Sequence, residues 1–268
     1  MDLEGKCKIR NKNGFTKGYT EIVSEMSNPE MLMTFGVLKL MKGDTFSNDE
    51  NLERIFLLLQ GEVELSWDGN KEIVKRGNLY DDDPRTLHLP PNIELTMKCL
   101  EDNTEFTVHK TENEKVFPSK LYASAELRKE TRGKGTMNET GTRLVRTILD
   151  VSITGDANFM IGEDVHYPGK WAGFPSHSHN QPEIYFYRFL PENGFGLLKL
   201  GDEGVCMEQN DTVIIPPDLV HPQVAAPGYA MYFLWVIRHL KDNPYISPNF
   251  EEQHLWAEKP GAKIWPDR

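Results

Sequence analysis

The sequence has few cysteines, no long apolar run and no excess of basic residues. Its three cysteines, Cys7, Cys99 and Cys206, lie far apart without a CxxC pair, which excludes both a disulfide framework and a thiolate zinc site. Residues 1–10 are charged and lack the apolar core of a signal peptide. The apolar stretch at 231–237 is too short to span a bilayer. We therefore expect a cytoplasmic protein that does not interact with membranes.

The charge balance argues against a nucleic-acid partner. The chain has 30 basic and 41 acidic residues and a net charge of −11, whereas phosphate groups need Lys and Arg. Hydrophobic residues make up 38% and charged residues 26%, which is typical of a folded globular protein. At roughly 150 residues per domain, the length of 268 residues predicts one or two domains.

Short β-rich apolar runs dominate the chain, and Gly, Pro, Asn and Asp turn signals separate them. This spacing predicts an all-β sandwich or barrel rather than alternating strands and helices. The runs are residues 54–59, 63–67, 93–97, 106–109, 196–200, 212–215 and 230–237. Only 29–32 and 119–127 suggest a helical turn or two, and the Gly- and Lys-rich segment 128–141 is expected to contain a loop.

The two halves of the chain repeat one pattern. Residues 54–97 and 183–237 each contain strands, a turn and then two apolar residues, Leu87 and Leu89 or Ile214 and Ile215, before Pro-Pro at 90–91 and 216–217. We interpret this echo as two related β-barrels joined around 111–150.

A group of histidines and one glutamate predicts a metal site in the second half. Because side chains alternate along a strand, His177 and His179 point to the same side. Residues 180–182 have turn chemistry, so Glu183 can begin the next strand facing the same interior, and His221 ends a later strand. Three imidazoles and a carboxylate suit one divalent ion of Zn, Mn, Fe, Co or Ni. The histidines without this pattern are expected to be structural: His88, His109, His166, His239 and His254.

These residues resemble the two cupin motifs. The first motif matches, with longer spacings to its glycines, at Gly169, His177, His179, Glu183 and Gly194. The second matches residues 211–221, with Asp218 where many cupins carry glycine. Asp tolerates a left-handed backbone, so this exchange is mild.

Further segments resemble the 5-deoxy-glucuronate isomerase family. They are residues 132–135, 169–171, 182–188, 194–196, 225–229 and 254–256. The resemblance implies an all-β bicupin of two β-barrel or jelly-roll domains with few short helices. Residues 1–127 would form a degenerate barrel without a metal site, and residues 128–268 would form the metal-binding barrel.

The resemblance also implies a reaction. The family isomerises 5-deoxy-glucuronate, an aldose, to the ketose 2-deoxy-5-keto-gluconate in inositol catabolism. Such a reaction needs a group that moves a carbon-bound proton and a metal that stabilises negative charge on oxygen. By alternation Tyr185 and Tyr187 share the face of Glu183, and Tyr229 lies near the last strand. We expect Glu183, Tyr185 and Tyr229 to act in catalysis.

An acidic sugar also requires a cation for its carboxylate. The residues expected to bind the substrate are Arg143, Tyr187, Arg188 and Lys199, with Arg146 a further basic candidate. The partner is therefore a small-molecule sugar acid, and a homo-oligomer is left open. Two alternatives use the same fold: a metal-dependent oxygenase or decarboxylase with the same four ligands, and a non-catalytic sugar-binding cupin.

Overall fold

The computed structural model describes residues 3–266, which divide into two compact units. The N-terminal unit contains residues 13–127 and 148–160. The C-terminal unit contains the described residues up to Lys12, residues 128–147 and residues from Ile161 onward. A single boundary after residue 127, as predicted, leaves out two segments of this division. The described residues up to Lys12 group with the C-terminal unit, and residues 148–160 group with the N-terminal unit. Among the described residues, no helix is long and apolar enough to cross a membrane.

Strands make up most of the regular structure and are numbered along the chain. The first eleven are β1 Lys8–Ile9, β2 Gly18–Val23, β3 Thr34–Leu40, β4 Thr45–Asn48, β5 Glu53–Trp67, β6 Asn70–Arg76, β7 Arg85–Leu89, β8 Leu95–Cys99, β9 Thr104–Thr111, β10 Lys120–Tyr122 and β11 Arg128–Arg132. The others are β12 Arg143–Leu149, β13 Phe159–His166, β14 Trp171–Ala172, β15 His177–Ser178, β16 Glu183–Leu190, β17 Phe195–Leu200, β18 Glu203–Glu208, β19 Thr212–Ile215, β20 Gln223–Ala225, β21 Ala230–Arg238 and β22 Asn249–Phe250. The helices are short: α1 Leu3–Cys7 and 3-10 helices at Pro29–Met31, Ser124–Glu126, Met137–Glu139 and Glu252–Glu258. The all-β prediction with few short helices is confirmed.

The N-terminal unit is built around the long strand β5. Its sheet has the order β10-β7-β5-β9-β3-β2, and β5 also pairs with β6 and β8. The runs 54–59 and 63–67 were expected to be separate strands, but β5 runs through both. The register shifts between Leu58 and Gln60, and Gly61 has a φ of +100°. The glycine therefore marks an irregularity inside one strand rather than a turn between two.

The C-terminal unit combines two larger sheets. One has the order β1-β19-β16-β21-β13-β12-β11 and the other β14-β20-β17-β18, while β15 pairs with β22. Burial alternates strictly along β17, where Gly196, Leu198 and Leu200 are buried and the residues between them are exposed. The segment 128–141 begins with β11, so the predicted loop occupies only the residues after Arg132.

Candidate metal centre

Three of the four predicted ligands meet inside the C-terminal unit. The ligand atoms of His179, Glu183 and His221 all lie within 4.8 Å of one another. His179 Nε2 lies 3.2 Å and His221 Nε2 3.4 Å from Glu183 Oε2. Their exposed fractions are 5%, 3% and 1%, so water has little access to the cluster.

Local backbone geometry brings these residues together. Glu183 is the first residue of β16, as its position after the turn predicted, and its Cα partner Ile215 is the last residue of β19. The chain beyond β19 is tied to the histidine segment, because Asp218 N donates to His179 O at 2.8 Å. Asp218 has a φ of +66°, which is the left-handed conformation expected where other cupins carry glycine.

His177 lies beside this group rather than inside it. It is half-buried in β15, and its ring centroid is 5.1 Å from that of His221. Its Cα partner across the β15–β22 ladder is Phe250, whose ring lies 5.5 Å away. The C-terminal segment after β21 therefore covers the outer side of the cluster.

One hydrogen bond fixes the orientation of each histidine ring. The Nδ1 atoms of His177, His179 and His221 lie 3.1, 2.8 and 2.8 Å from backbone carbonyl oxygens two residues away. Because a carbonyl only accepts hydrogen bonds, each Nδ1 carries a proton and donates it. In the neutral rings every Nε2 is then an unprotonated acceptor. Histidine ligands of metals are typically held in this way by their second ring nitrogen.

The electrostatics of the cluster favour a cation at its centre. Burial lowers the pKa of His177 to about 4 and that of His221 to about 3, so both rings stay neutral. Burial also raises the pKa of Glu183. For His179 burial opposes the charged form, but the hydrogen bond and charge of Glu183 outweigh it and raise the pKa. The Nε2 atoms of His179 and His221 both face one oxygen of Glu183, and two imidazole nitrogens with a carboxylate oxygen are a ligand set that fits a divalent metal ion in place of the proton between His179 and Glu183.

The same inner face carries further polar groups. Tyr185 has Trp235 as its Cα partner, and its ring centroid lies 5.8 Å from that of His221. Asp164 accepts hydrogen bonds from Arg143 Nε at 2.7 Å and from Trp235 Nε1 at 2.9 Å. Arg143 is only 6% exposed, so its guanidinium belongs to the interior.

The structure does not bring Arg188, Lys199 or Tyr229 to the cluster. Arg188 alternates with Tyr187 along β16 and faces the opposite side, where its guanidinium lies 5.2 Å from the Phe186 ring centre. Lys199 is on the exposed face of β17, 4.0 Å from Asp202.

Tyr229 lies at the end of the β16–β21 strand pair that is opposite the cluster. It precedes Ala230, whose Cα partner Leu190 ends β16, while Glu183 begins that strand. Tyr187 does share the inner face with Tyr185 and is fully buried.

Sequence reasoning missed one aromatic neighbour of the cluster. The Tyr245 ring lies 4.9 Å from the His179 ring, and Tyr245 N donates to His239 Nδ1 at 3.0 Å. Tyr245 follows β21 in a segment without periodic pattern, so no sequence signal connects it to the histidines.

The comparisons with known proteins identify the family of the chain. The model of the KduI/IolB family matches residues 8–257. The 5-deoxy-glucuronate isomerase of Geobacillus kaustophilus (strain HTA426) is 26% identical over 226 residues, which cover 76% of this chain and 78% of the relative.

Solved structures confirm the cupin fold. An IolB-like protein from Salmonella typhimurium LT2 superposes with a TM-score of 0.83 at 22% identity, covering 94% of this chain and 98% of that one. The oxalate decarboxylase of Bacillus subtilis, a protein with Mn(II) centres, gives a TM-score of 0.63 at 12% identity, covering 93% of this chain and 80% of that one. At these identities the similarity shows the fold alone.

Proposed function

The chain belongs to the KduI/IolB family, and from this premise we propose that it is a metal-dependent isomerase of a deoxy sugar acid. The reaction we assign is the aldose–ketose conversion of 5-deoxy-glucuronate to 2-deoxy-5-keto-gluconate. Curated relatives bear the name 5-deoxy-glucuronate isomerase. The observation that carries the proposal is the buried group of His179, Glu183 and His221, whose acceptor atoms converge within 4.8 Å.

The ligands of the metal would be His177, His179, Glu183 and His221. A divalent transition metal such as Zn, Mn, Fe, Co or Ni supplies a Lewis acid that stabilises negative charge on the oxygens of a substrate. The protein's own contribution is to hold the rings rigidly through their Nδ1 hydrogen bonds. The Phe250 ring beside His177 helps to exclude water.

We assign substrate contacts to Tyr185 and Arg143. Burial and the charge of Glu183 raise the pKa of Tyr185 well above its ordinary value, so its hydroxyl stays protonated and donates. A hydrogen bond from Tyr185 also lowers the pKa of Glu183 against the effect of burial. Arg143, oriented by Asp164, is the buried cation for the sugar carboxylate.

One assay tests this function. The full-length protein is loaded separately with Zn, Mn, Fe, Co and Ni and incubated with 5-deoxy-glucuronate, and the ketose is followed by NMR. We expect turnover with at least one metal, its loss in His221→Ala, and its retention in His254→Ala, since His254 packs against Phe174 outside the cluster. Absence of ketose with all five metals would refute the isomerase. Release of CO₂ or uptake of O₂ would instead favour the decarboxylase or oxygenase.

A further inference from the structure

The inner wall of the C-terminal unit carries polar atoms that nothing in the described part of the chain satisfies. They are Nε2 of His166, the hydroxyl of Tyr187 and both amide atoms of Gln223. All three residues are 0% exposed. An unpaired buried polar group costs about 1–3 kcal/mol, so several on one wall require a bound partner, either a ligand or ordered water.

These side chains belong to one surface. The Phe233 ring centroid lies 5.3 Å from that of His166 and 6.0 Å from that of Tyr187. The carbonyl oxygen of Lys170 lies 3.3 Å from His166 Nδ1 and also accepts from Ala225 N at 3.1 Å, which joins His166 to β20.

Gln223 begins β20 and faces inward. Its Cα partners Ala172 and Leu198 are 2% and 1% exposed, whereas the adjacent pair Trp171 and Leu197 is exposed. Gln223 therefore lies on the buried side of its sheet, two residues beyond His221.

The surface is continuous with the metal cluster. The Tyr185 ring centroid lies 5.8 Å from that of His221, 6.2 Å from that of Tyr187 and 4.9 Å from that of Phe233. A row of contacting rings therefore connects the cluster with His166.

Resting on the proposed function, we propose that His166, Tyr187 and Gln223 form a neutral subsite that binds the hydroxyl groups of the sugar-acid chain. His166 Nδ1 donates to a carbonyl, so Nε2 is an acceptor for a hydroxyl proton. The phenol and the amide each donate and accept, which matches hydroxyl groups better than a carboxylate. Burial lowers the pKa of His166 to about 3, so no positive charge is present to select an acid there. Arg143 and the metal cluster bind the acidic and carbonyl end, and this subsite binds the remaining chain.

Two probe acids test the subsite on the metal-loaded full-length protein. D-gluconate carries a chain of hydroxyls, whereas glycolate offers only a carboxylate and one neighbouring hydroxyl. We expect Tyr187→Phe and Gln223→Leu each to weaken gluconate binding about tenfold, the equivalent of one lost hydrogen bond in a desolvated site, and to leave glycolate binding unchanged. Calorimetry measures both affinities. With 5-deoxy-glucuronate, KM should rise more than kcat falls.

Tyr232→Phe is the matched control. Its hydroxyl is equally buried but donates to Glu163 Oε2 at 2.9 Å, and Tyr232 pairs with Arg188 on the opposite face. We expect Tyr232→Phe to lower the denaturation midpoint and keep the gluconate affinity. Tyr187→Phe should weaken gluconate binding without lowering the denaturation midpoint.

The outcomes separate the two proposals. If gluconate fails to bind the wild-type protein, or if the variants bind it as tightly as the wild type, the orphaned atoms hold ordered water only and the subsite is wrong. If the variants lose gluconate but the wild-type protein forms no ketose from 5-deoxy-glucuronate, the subsite stands and the isomerase assignment fails.

Discussion

His221→Ala should abolish the part of the thermal stability that depends on metal. His221 is 1% exposed and its Nε2 lies 3.4 Å from Glu183 Oε2, so the ring is central to the cluster and water cannot replace it easily. An ion that binds only the folded state stabilises it by about 4 kcal/mol at a free concentration of roughly 1,000 times Kd. At about 2–4 °C per kcal/mol for a chain of this size, Tm should rise by roughly 8–16 °C on metal loading of the wild-type protein.

The variant should show almost no such rise. Because the substitution also leaves a cavity, the quantity to compare is the difference in Tm with and without metal, not Tm itself. Scanning calorimetry measures it, and elemental analysis gives the bound metal. His254→Ala serves as the control and should keep the full rise, since the His254 ring packs against Phe174 at 5.5 Å outside the cluster. A His221→Ala protein that retains stoichiometric metal and the full rise would refute the ligand assignment.

Three further substitutions test buried positions of the two units. Burial lowers the pKa of His109 from 6.5 to about 3. As the pH falls below 6.5, the unfolded state therefore binds a proton before the folded state does. The free energy of unfolding that the neutral ring supports is complete at pH 8 and is lost progressively toward pH 3. Between pH 8 and pH 5 the wild-type protein should therefore lose about 2 kcal/mol of unfolding free energy relative to His109→Leu, as measured by denaturation. An unchanged difference between the two proteins would contradict this prediction. Gly162→Ala places a Cβ 2.3 Å from the Trp235 ring and should cost about 1–3 kcal/mol in urea denaturation, whereas Gly155→Ala meets nothing within 4 Å and should be neutral. Arg54→Met removes the donor to the backbone carbonyls of four surrounding residues and should lower the free energy of unfolding by about 3–5 kcal/mol. A variant with the denaturation midpoint of the wild type would contradict this prediction.

Much of the fold followed from patterns that are local in the sequence. The run 212–215 is the observed strand Thr212–Ile215, and the turn before Glu183 correctly predicted where β16 begins. Gly61 was misread because glycine marks both turns and irregular strand positions, and only the pairing of β5 with its neighbours distinguishes the two.

Site residues were predictable where alternation applied and unpredictable where distant segments meet. Glu183, Tyr185 and Tyr187 share one face of β16, as the period of two requires. The same rule places Arg188 outward, but the need for a cation was argued from the carboxylate of the expected substrate, which gives no direction for the side chain. Tyr245 contacts His179 only because the chain folds back after β21. Gln223 was not singled out, since a glutamine within a short strand gives no chemical signal.

Two buried carboxylates with imidazole neighbours differ in how their oxygens are satisfied. In the N-terminal unit, Glu53 is 0% exposed and also contacts an imidazole, His88 Nε2, at 2.9 Å. Its second oxygen accepts from Asn113 Nδ2 at 2.7 Å and from Asn158 N at 2.9 Å, so donors of the protein itself satisfy the charge. Around Glu183 the imidazoles of His179 and His221 donate through Nδ1 to backbone carbonyls, and both Nε2 atoms face one carboxylate oxygen, to which His179 is hydrogen-bonded at 3.2 Å. The same residue types thus give a polar network satisfied by the protein's own donors in one unit and, in the other, two imidazole nitrogens on one carboxylate oxygen, an arrangement that a divalent cation would complete.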